Sequence, residues 1–384
     1  MNADNMAPAQ AFPPGDYIRD ELDARGWTQQ DLAEIIGRSL VSVNGIITGK
    51  QAITPDTAKA LAEAFGTSAE LWMNLESAHQ LHRVRNVDAG IGKRAKLYDY
   101  APVNEMTRRG WISPTGDVGI VESQILSLFE VQSLDDRPEW ELAARRSSDY
   151  EQYSTAELAW FARVRLLGKA LHVKKFNKRA FEDVFPKIRT LCGDPENIRH
   201  LPKILAEYGV RFVVVEKLKN TRIDGGVSWL SDVEPVVGIS IRFDRIDSFW
   251  HTVIHELVHV KNGDRFIIDV DIVADAKGSN KRKKPPLEER TDAEAANYLV
   301  PRFELLDFIK RVKPFFSKEK IRNFASSMRI HPGIVVGQLH HEGCGVHWSH
   351  NREMLLQDQI RSIISATAMT DGWDKRLGII GVQS

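Results

Sequence analysis

Cysteine is scarce: Cys192 and Cys344 are the only two in 384 residues. Two thiols build neither a disulfide framework nor a cysteine-rich zinc module, and they suit a reducing, cytoplasmic compartment. Net charge is missing too, with 52 Lys and Arg against 52 Asp and Glu. A zero sum excludes a globally basic nucleic-acid coat protein and an acidic disordered chain, but it can hide segregated charge. No apolar run reaches the roughly 18 residues of a membrane helix, so no membrane partner is expected. Residues 1–14 have no basic start and no apolar centre, which argues against a signal peptide. What is present is a 42% hydrophobic share, enough for real cores. At about 150 residues per domain, the length suggests two or three domains.

The texture changes along the chain. Residues 1–12 read as a flexible tail, and residues 13–85 as short helices joined by tight turns. Residues 86–202 are a helical middle segment, residues 203–345 mix strands with helices, and residues 346–384 form a C-terminal extension. The fold class is therefore mostly α with a small β-sheet (α+β). The β-branched runs at 210–215 and 235–243 predict strands. Helical patterns cover 248–262 and 287–299, and the Gly/Pro/Lys-rich stretch 277–286 between them reads as a loop.

Near the N-terminus, Thr28 with Asp31 three residues on resembles a capping box, and Leu32, Ala33 and Ile36 form one apolar face. Gly37 sits where a helix ends, Ser39 can cap the next helix, and Gly49 ends that one. Thr54-Pro55 starts another, with Ala58, Leu61, Ala62 and Phe65 at helical spacing. Two short helices around a glycine turn fit a helix-turn-helix or a plain helical bundle. Residues 13–85 resemble the helix-turn-helix domain of XRE-type regulators, particularly HigA-type antitoxins. The carriers are Pro14-Gly15, Trp27-Thr28-Gln29, Asp31-Leu32-Ala33, Gly49-Lys50, Ile53-Thr54-Pro55, Ala60-Leu61-Ala62 and the run from Leu71 to Leu75. The resemblance implies a recognition helix from Ser39, operator DNA, a cognate toxin and a homodimer as partners. Yet Leu40 to Gly45 holds no Lys or Arg. Arg38, Ser39, Ser42 and Asn44 are what could reach base edges, with Lys50 nearby. Seven basic and ten acidic residues in 13–85 make this domain net negative, which weakens phosphate attraction.

Residues 160–190 carry nine cations against Glu182 and Asp183, a net of +7. Trp160, Phe161, Leu167, Phe176, Phe181 and Phe185 interleave with them. The stretch reads either as packed helices with a solvated charged face or as a surface for DNA phosphates or an acidic partner. The basic run Lys281-Arg282-Lys283-Lys284 carries the same two readings.

The strongest chemical signal is His255-Glu256-Leu257-Val258-His259. On a helix, residues four apart share a face, so both imidazoles can meet one Zn2+ and Glu256 can handle a water. The apolar flanks make buried His and Glu demand a reason. A third ligand is required. Glu288 and Asp292 lie one turn apart on the next helix, so Glu288 is the preferred ligand and Asp292 an orienting partner for a histidine. Glu289 is the nearest rival and Glu294 a weaker one.

The segment from Phe249 to His259, Glu288 to Pro301, and Ile330 to Leu339 resemble the ImmA/IrrE family of zinc metalloendopeptidases, a likeness extending over roughly residues 208–342. It implies a zincin-like domain in which His255, His259 and Glu288 hold Zn2+ and Glu256 is the general base, and a protein substrate such as a partner regulator. Glu294 departs from the family, which has an aromatic there. The strand at 235–243 is expected to offer an edge to a substrate strand. Tyr298, His251, His331, His340, His341 and His347 are candidate oxyanion helpers by residue type alone.

Overall fold

The computed structural model describes residues 12–83, 90–141, 153–270, 286–344 and 352–373. The tail up to residue 11, the basic run 281–284, His347 and residues 346–351 and 374–384 of the C-terminal extension lie outside the described residues. Two compact units divide the chain, residues 1–91 and 92–384. Among the described residues no helix is long and apolar enough to cross a membrane.

Among the described residues the first unit is built from five helices: α1 (Pro14–Arg25), α2 (Gln29–Ile35), α3 (Leu40–Ile47), α4 (Pro55–Phe65) and α5 (Ala69–Arg83). Their starts follow the capping residues. The Thr28 hydroxyl accepts from the Asp31 N–H while the Asp31 carboxylate accepts from the Thr28 N–H, a complete capping box. Ser39 caps α3 and Thr54 caps α4, each accepting a backbone N–H from three residues on. Ile18, Leu32, Val43, Ile46, Leu61, Phe65 and Trp72 close one core. A side chain at Gly15 would strike the Ile47 carbonyl at 2.0 Å, so only glycine lets α1 approach α3 this closely.

The second unit is layered around a five-stranded mixed sheet of order β4-β2-β3-β1-β5. Its strands are β1 (Arg211–Val215), β2 (Ile223–Trp229), β3 (Pro235–Ile239), β4 (Ile267–Val270) and β5 (Met369–Asp371). β3 and β5 run parallel to β1, and β2 is antiparallel to both β3 and β4. The helices are α6 (Gly90–Tyr100), α7 (Val103–Arg108), α8 (Val118–Phe129), α9 (Thr155–Lys169), α10 (Lys178–Phe181), α11 (Val184–Leu191), α12 (Leu201–Glu207), α13 (Ile246–Asn262), α14 (Pro286–Leu299), α15 (Arg302–Val312), α16 (Lys318–Met328), α17 (Pro332–His341) and α18 (Ile360–Ile364).

Strand alternation sorts the two faces. Phe212, Val214, Val227, Val237 and Ile239 join the core of α13 and the later helices. Val213, Val215, Ile223, Val236 and Ile268 join the core of α8 and α9. The sheet is thus buried on both faces, with α9 against one and α13 against the other. β3 is an inner strand between β2 and β1, which corrects the expectation that residues 235–243 form an edge. Its uninterrupted apolar run is the composition of a strand covered on both sides.

Many cations of 160–190 have structural partners. The Arg165 guanidinium is buried and donates to Ser228 Oγ at 2.6 Å and the Trp229 carbonyl at 3.0 Å. Arg163 pairs with Asp371 at 2.6 Å, and Arg189 donates to the carbonyls of Tyr298, Leu299 and Met328. Lys174, Lys175, Lys178, Arg179 and Lys187 remain on the surface.

Candidate metal centre and helix-turn-helix

α13 carries His255 and His259 one turn apart, and both rings are buried beneath the sheet. Their Nε2 atoms lie 3.0 Å apart. Glu288, on the first turn of α14, brings Oε2 to 3.1 Å from His255 Nε2 and 3.6 Å from His259 Nε2. A fourth donor arrives from β4: Asp269 Oδ2 lies 3.4 Å from His255 Nε2 and 3.6 Å from His259 Nε2. All four atoms fall within 4.8 Å of one another. A tetrahedral zinc ion with ligands at about 2.0–2.1 Å sets its donors roughly 3.3 Å apart. The separations from 3.0 to 3.6 Å bracket that edge length. Two imidazoles with two carboxylates also balance the charge of a dication. The donor set therefore fits Zn2+.

Carboxylates behind the rings fix their orientation. His255 Nδ1 lies 3.0 Å from Asp292 Oδ1, and His259 Nδ1 lies 2.9 Å from Asp264 Oδ2. Such a partner holds the tautomer that leaves Nε2 free to ligate. Electrostatics records the pairing. Burial opposes the charged His259 ring, but Asp264, Glu288 and Asp269 outweigh it and raise the ring to about 10. Burial likewise works against ionised Asp292 and Glu288, yet the facing histidines hold both well below the usual carboxylate range.

Glu256 is wholly buried, and neither carboxylate oxygen has a hydrogen-bond partner among the described residues. Burial, then the Asp269 carboxylate, pushes its acid form well up in pH. Its space is provided by β2: a Cβ at Gly225 would sit 2.1 Å from Glu256 Oε1. An unpartnered carboxyl beside a ligand cluster is the arrangement a proton-transferring group needs.

Among the sequence candidates, His255, Glu256, His259, Glu288 and Asp292 converge. Glu289 is exposed on α14. Glu294 accepts from Lys261 Nζ at 2.7 Å, an ion pair that explains a charge at this position. Lys261 also donates to the Tyr298 hydroxyl, whose ring stacks on Phe185 at 4.3 Å. His331 caps α17 by accepting the Gly333 N–H. His251 Nε2 lies 3.6 Å from Asp292 Oδ1, behind His255.

In the first unit α3 buries Val43, Ile46 and Ile47 and turns its other side outward. Ser39, Asn44 and Lys50 are exposed, and Arg38 and Ser42 are half-buried. The Ser39 hydroxyl is engaged as the cap, and Ser42 Oγ donates to Gln51 Oε1 at 3.1 Å. Val41 is 82% exposed and Leu40 43%, an apolar rim on the outward face.

A helix-turn-helix family model matches residues 18–72. The uncharacterized HTH-type transcriptional regulator YddM of Escherichia coli (strain K12) is 32% identical over 68 residues, which cover 18% of this chain and 72% of that protein. This chain belongs to the helix-turn-helix family. Antitoxin HigA of Escherichia coli (strain K12) is 41% identical to this helix-turn-helix protein over 73 residues, 19% of this chain and 51% of HigA. The solved Pseudomonas aeruginosa antitoxin HigA with higBA promoter is 33% identical and covers 22% of this chain and 91% of that chain, with a TM-score of 0.20.

Sequence reading of this helix-turn-helix protein missed Asp264, Asp269 and Gly225. The signal for Asp269 is one acidic residue interrupting the apolar run Phe266-Ile267-Ile268-Asp269-Val270. Asp264 follows the glycine that ends α13, and Gly225 is half of a Gly-Gly pair inside a strand, where glycine marks close approach.

Proposed function

We propose that this chain is a transcriptional regulator that carries its own zinc-dependent endopeptidase centre and cleaves itself or a partner regulator. The observation that carries the reading is the compact cluster of His255, His259, Glu288 and Asp269 donors beside the unpartnered Glu256. The resemblance of residues 208–342 to ImmA/IrrE metallopeptidases supports it. His255, His259 and Glu288 would hold Zn2+, which when bound supplies Lewis-acid polarisation of a water and of the scissile carbonyl. Glu256 takes a proton from the attacking water and returns it to the leaving amine. Asp292 and Asp264 keep the two rings aimed through their Nδ1 atoms. The five-helix unit sets α3 on operator DNA as half of a homodimer, with Arg38, Asn44 and Lys50 toward the duplex and Val41 toward thymine methyls. Such a regulator works in the cytoplasm.

Purified chain should contain one zinc that His255→Ala loses. With zinc, it should show a cut in itself or in an unstructured protein that Glu256→Gln lacks. Cleavage that persists undiminished in Glu256→Gln would refute the peptidase.

A second reading has an observation of its own. The apolar rim of Leu40 and Val41 on a net negative unit suits a basic toxin as well as DNA. The chain would then be a HigA-like antitoxin or repressor whose zinc fold is a sensor or scaffold. A specific operator shift that survives both Glu256→Gln and zinc removal favours it.

A further inference from the structure

Catalytic zinc sites keep three protein ligands and one position open to water, whereas structural sites are closed by four. Here the fourth donor comes from a surface-edge strand. Asp269 is 3% exposed, with Oδ2 at 3.4 and 3.6 Å from the two imidazole Nε2 atoms. It sits in β4, directly opposite Gly225 of β2 in the antiparallel register. Gly225 is the residue that makes room for Glu256. β2 would otherwise be the edge of the sheet beside Glu256, with its outer hydrogen-bonding side open to an added strand. An extended peptide adding there would be an edge-strand substrate, recognised through its main chain. β4 already fills that side with residues Ile267 to Val270.

We propose, building on the zinc reading above, that Asp269 is the fourth protein ligand of the metal and that β4 occupies the substrate strand's place on β2. The centre is therefore closed in this conformation, and it opens when β4 peels from β2 and its carboxylate leaves the metal. A contact just ahead of the strand anchors the segment: Trp229 Nε1 donates to the Asp264 carbonyl at 2.8 Å. The strand itself is short, four residues, and among the described residues β2 is its one neighbour in the sheet. A bulge between Ile223 and Gly225 interrupts the pairing. Release of β4 thus costs few ladder bonds compared with release of an inner strand.

The test loads the full chain with Co(II) as a spectroscopic probe and titrates acetohydroxamate, a chelating group that needs an open position. The wild-type visible spectrum should stay unchanged, while Asp269→Ala should shift with acetohydroxamate. Asp269→Asn, which keeps the shape of the side chain, is the second variant should the alanine protein misfold. Zinc retention against a competing chelator should fall roughly tenfold or more in either variant, since even loss of an outer partner of a ligand costs 10–100-fold. Cleavage of an unstructured protein should rise in Asp269→Ala and vanish in Asp269→Ala combined with Glu256→Gln. An equal acetohydroxamate response in wild type and both variants overturns the closed site, while one His255-dependent metal per chain would leave the zinc reading intact. A chain that binds neither cobalt nor zinc overturns both.

Discussion

Replacing Gly225 by alanine tests the link between the sheet and the buried glutamate. The added Cβ would lie 2.1 Å from Glu256 Oε1, 2.8 Å from its Cδ and 3.0 Å from its Cγ. Ordinary contact needs about 3.5 Å or more, so one group must move by more than about 1 Å. Glu256 is 0% exposed and hemmed in on α13, so no free volume takes up the shift. Overpacking of this kind costs about 1–3 kcal/mol, and a displacement near 1 Å of a reacting group lowers catalysis about 100-fold. The metal is expected to stay, because the three atoms nearest the added Cβ all belong to Glu256 and none to a donor. Urea denaturation, zinc content and Glu256-dependent cleavage would be read on the same preparation. Gly116→Ala is the control, since nothing lies within 4 Å of a Cβ there. A Gly225→Ala protein as stable as the Gly116→Ala control would refute the packing argument.

Asp292→Ala should weaken zinc binding about 10–100-fold in a chelator competition, because His255 loses the partner 3.0 Å from its Nδ1. Thr28→Ala should cost the first unit about 1 kcal/mol in thermal or urea unfolding by removing one arm of its capping box, with no change in zinc content. His331 is held down to about 4, chiefly by burial, while its neutral ring accepts the Gly333 N–H at 3.2 Å. Its folded value lies below its unfolded one, so its contribution is complete above pH ~6.5 and is lost as pH falls toward ~4, by up to about 3 kcal/mol. Urea midpoints across that window should flatten in His331→Asn, which still accepts the cap bond. Cys192 is buried and its thiol is pushed up to about 12 by burial, so iodoacetamide on the native chain should modify Cys344 and spare Cys192.

The helix-borne half of the candidate centre was legible because helical geometry is local. A spacing of four places His255 over His259, and the same spacing places Glu288 under Asp292, without knowledge of any other element. The capping residues Thr28, Ser39 and Thr54 were readable for the same reason. Asp269 was not, because its position depends on the register of β4 against β2, a pairing across a turn of the whole metal helix. β2 itself was hidden by its own function: Gly225 and Gly226 lower strand propensity, yet the first is required by the approach of Glu256. β3 announced itself as a strand, but its place in the sheet depended on two partners distant in sequence. Its unbroken apolar run was the clue that it lies inside.

Packed helices with a solvated charged face, the first of the two readings of residues 160–190, account for most of the +7 there. A +7 sum treats each cation as free, whereas Arg163 meets Asp371, more than 200 residues later, and Arg165 is consumed by β2 and Glu130. Desolvated guanidinium groups that satisfy carbonyls and carboxylates cannot also gather phosphates. The cations still available, Lys174 through Arg179 and Lys187, flank α10 and α11 on the surface of the second unit. A DNA contact made there would weaken with salt in proportion to those few residues, with a slope far below that of a full basic domain. The net negative helix-turn-helix unit has less phosphate attraction still. On the proposed reading, operator binding would draw on base-edge and methyl contacts from α3 and on dimer symmetry, and a modest salt slope together with a large loss on Asn44→Ala is the signature that follows.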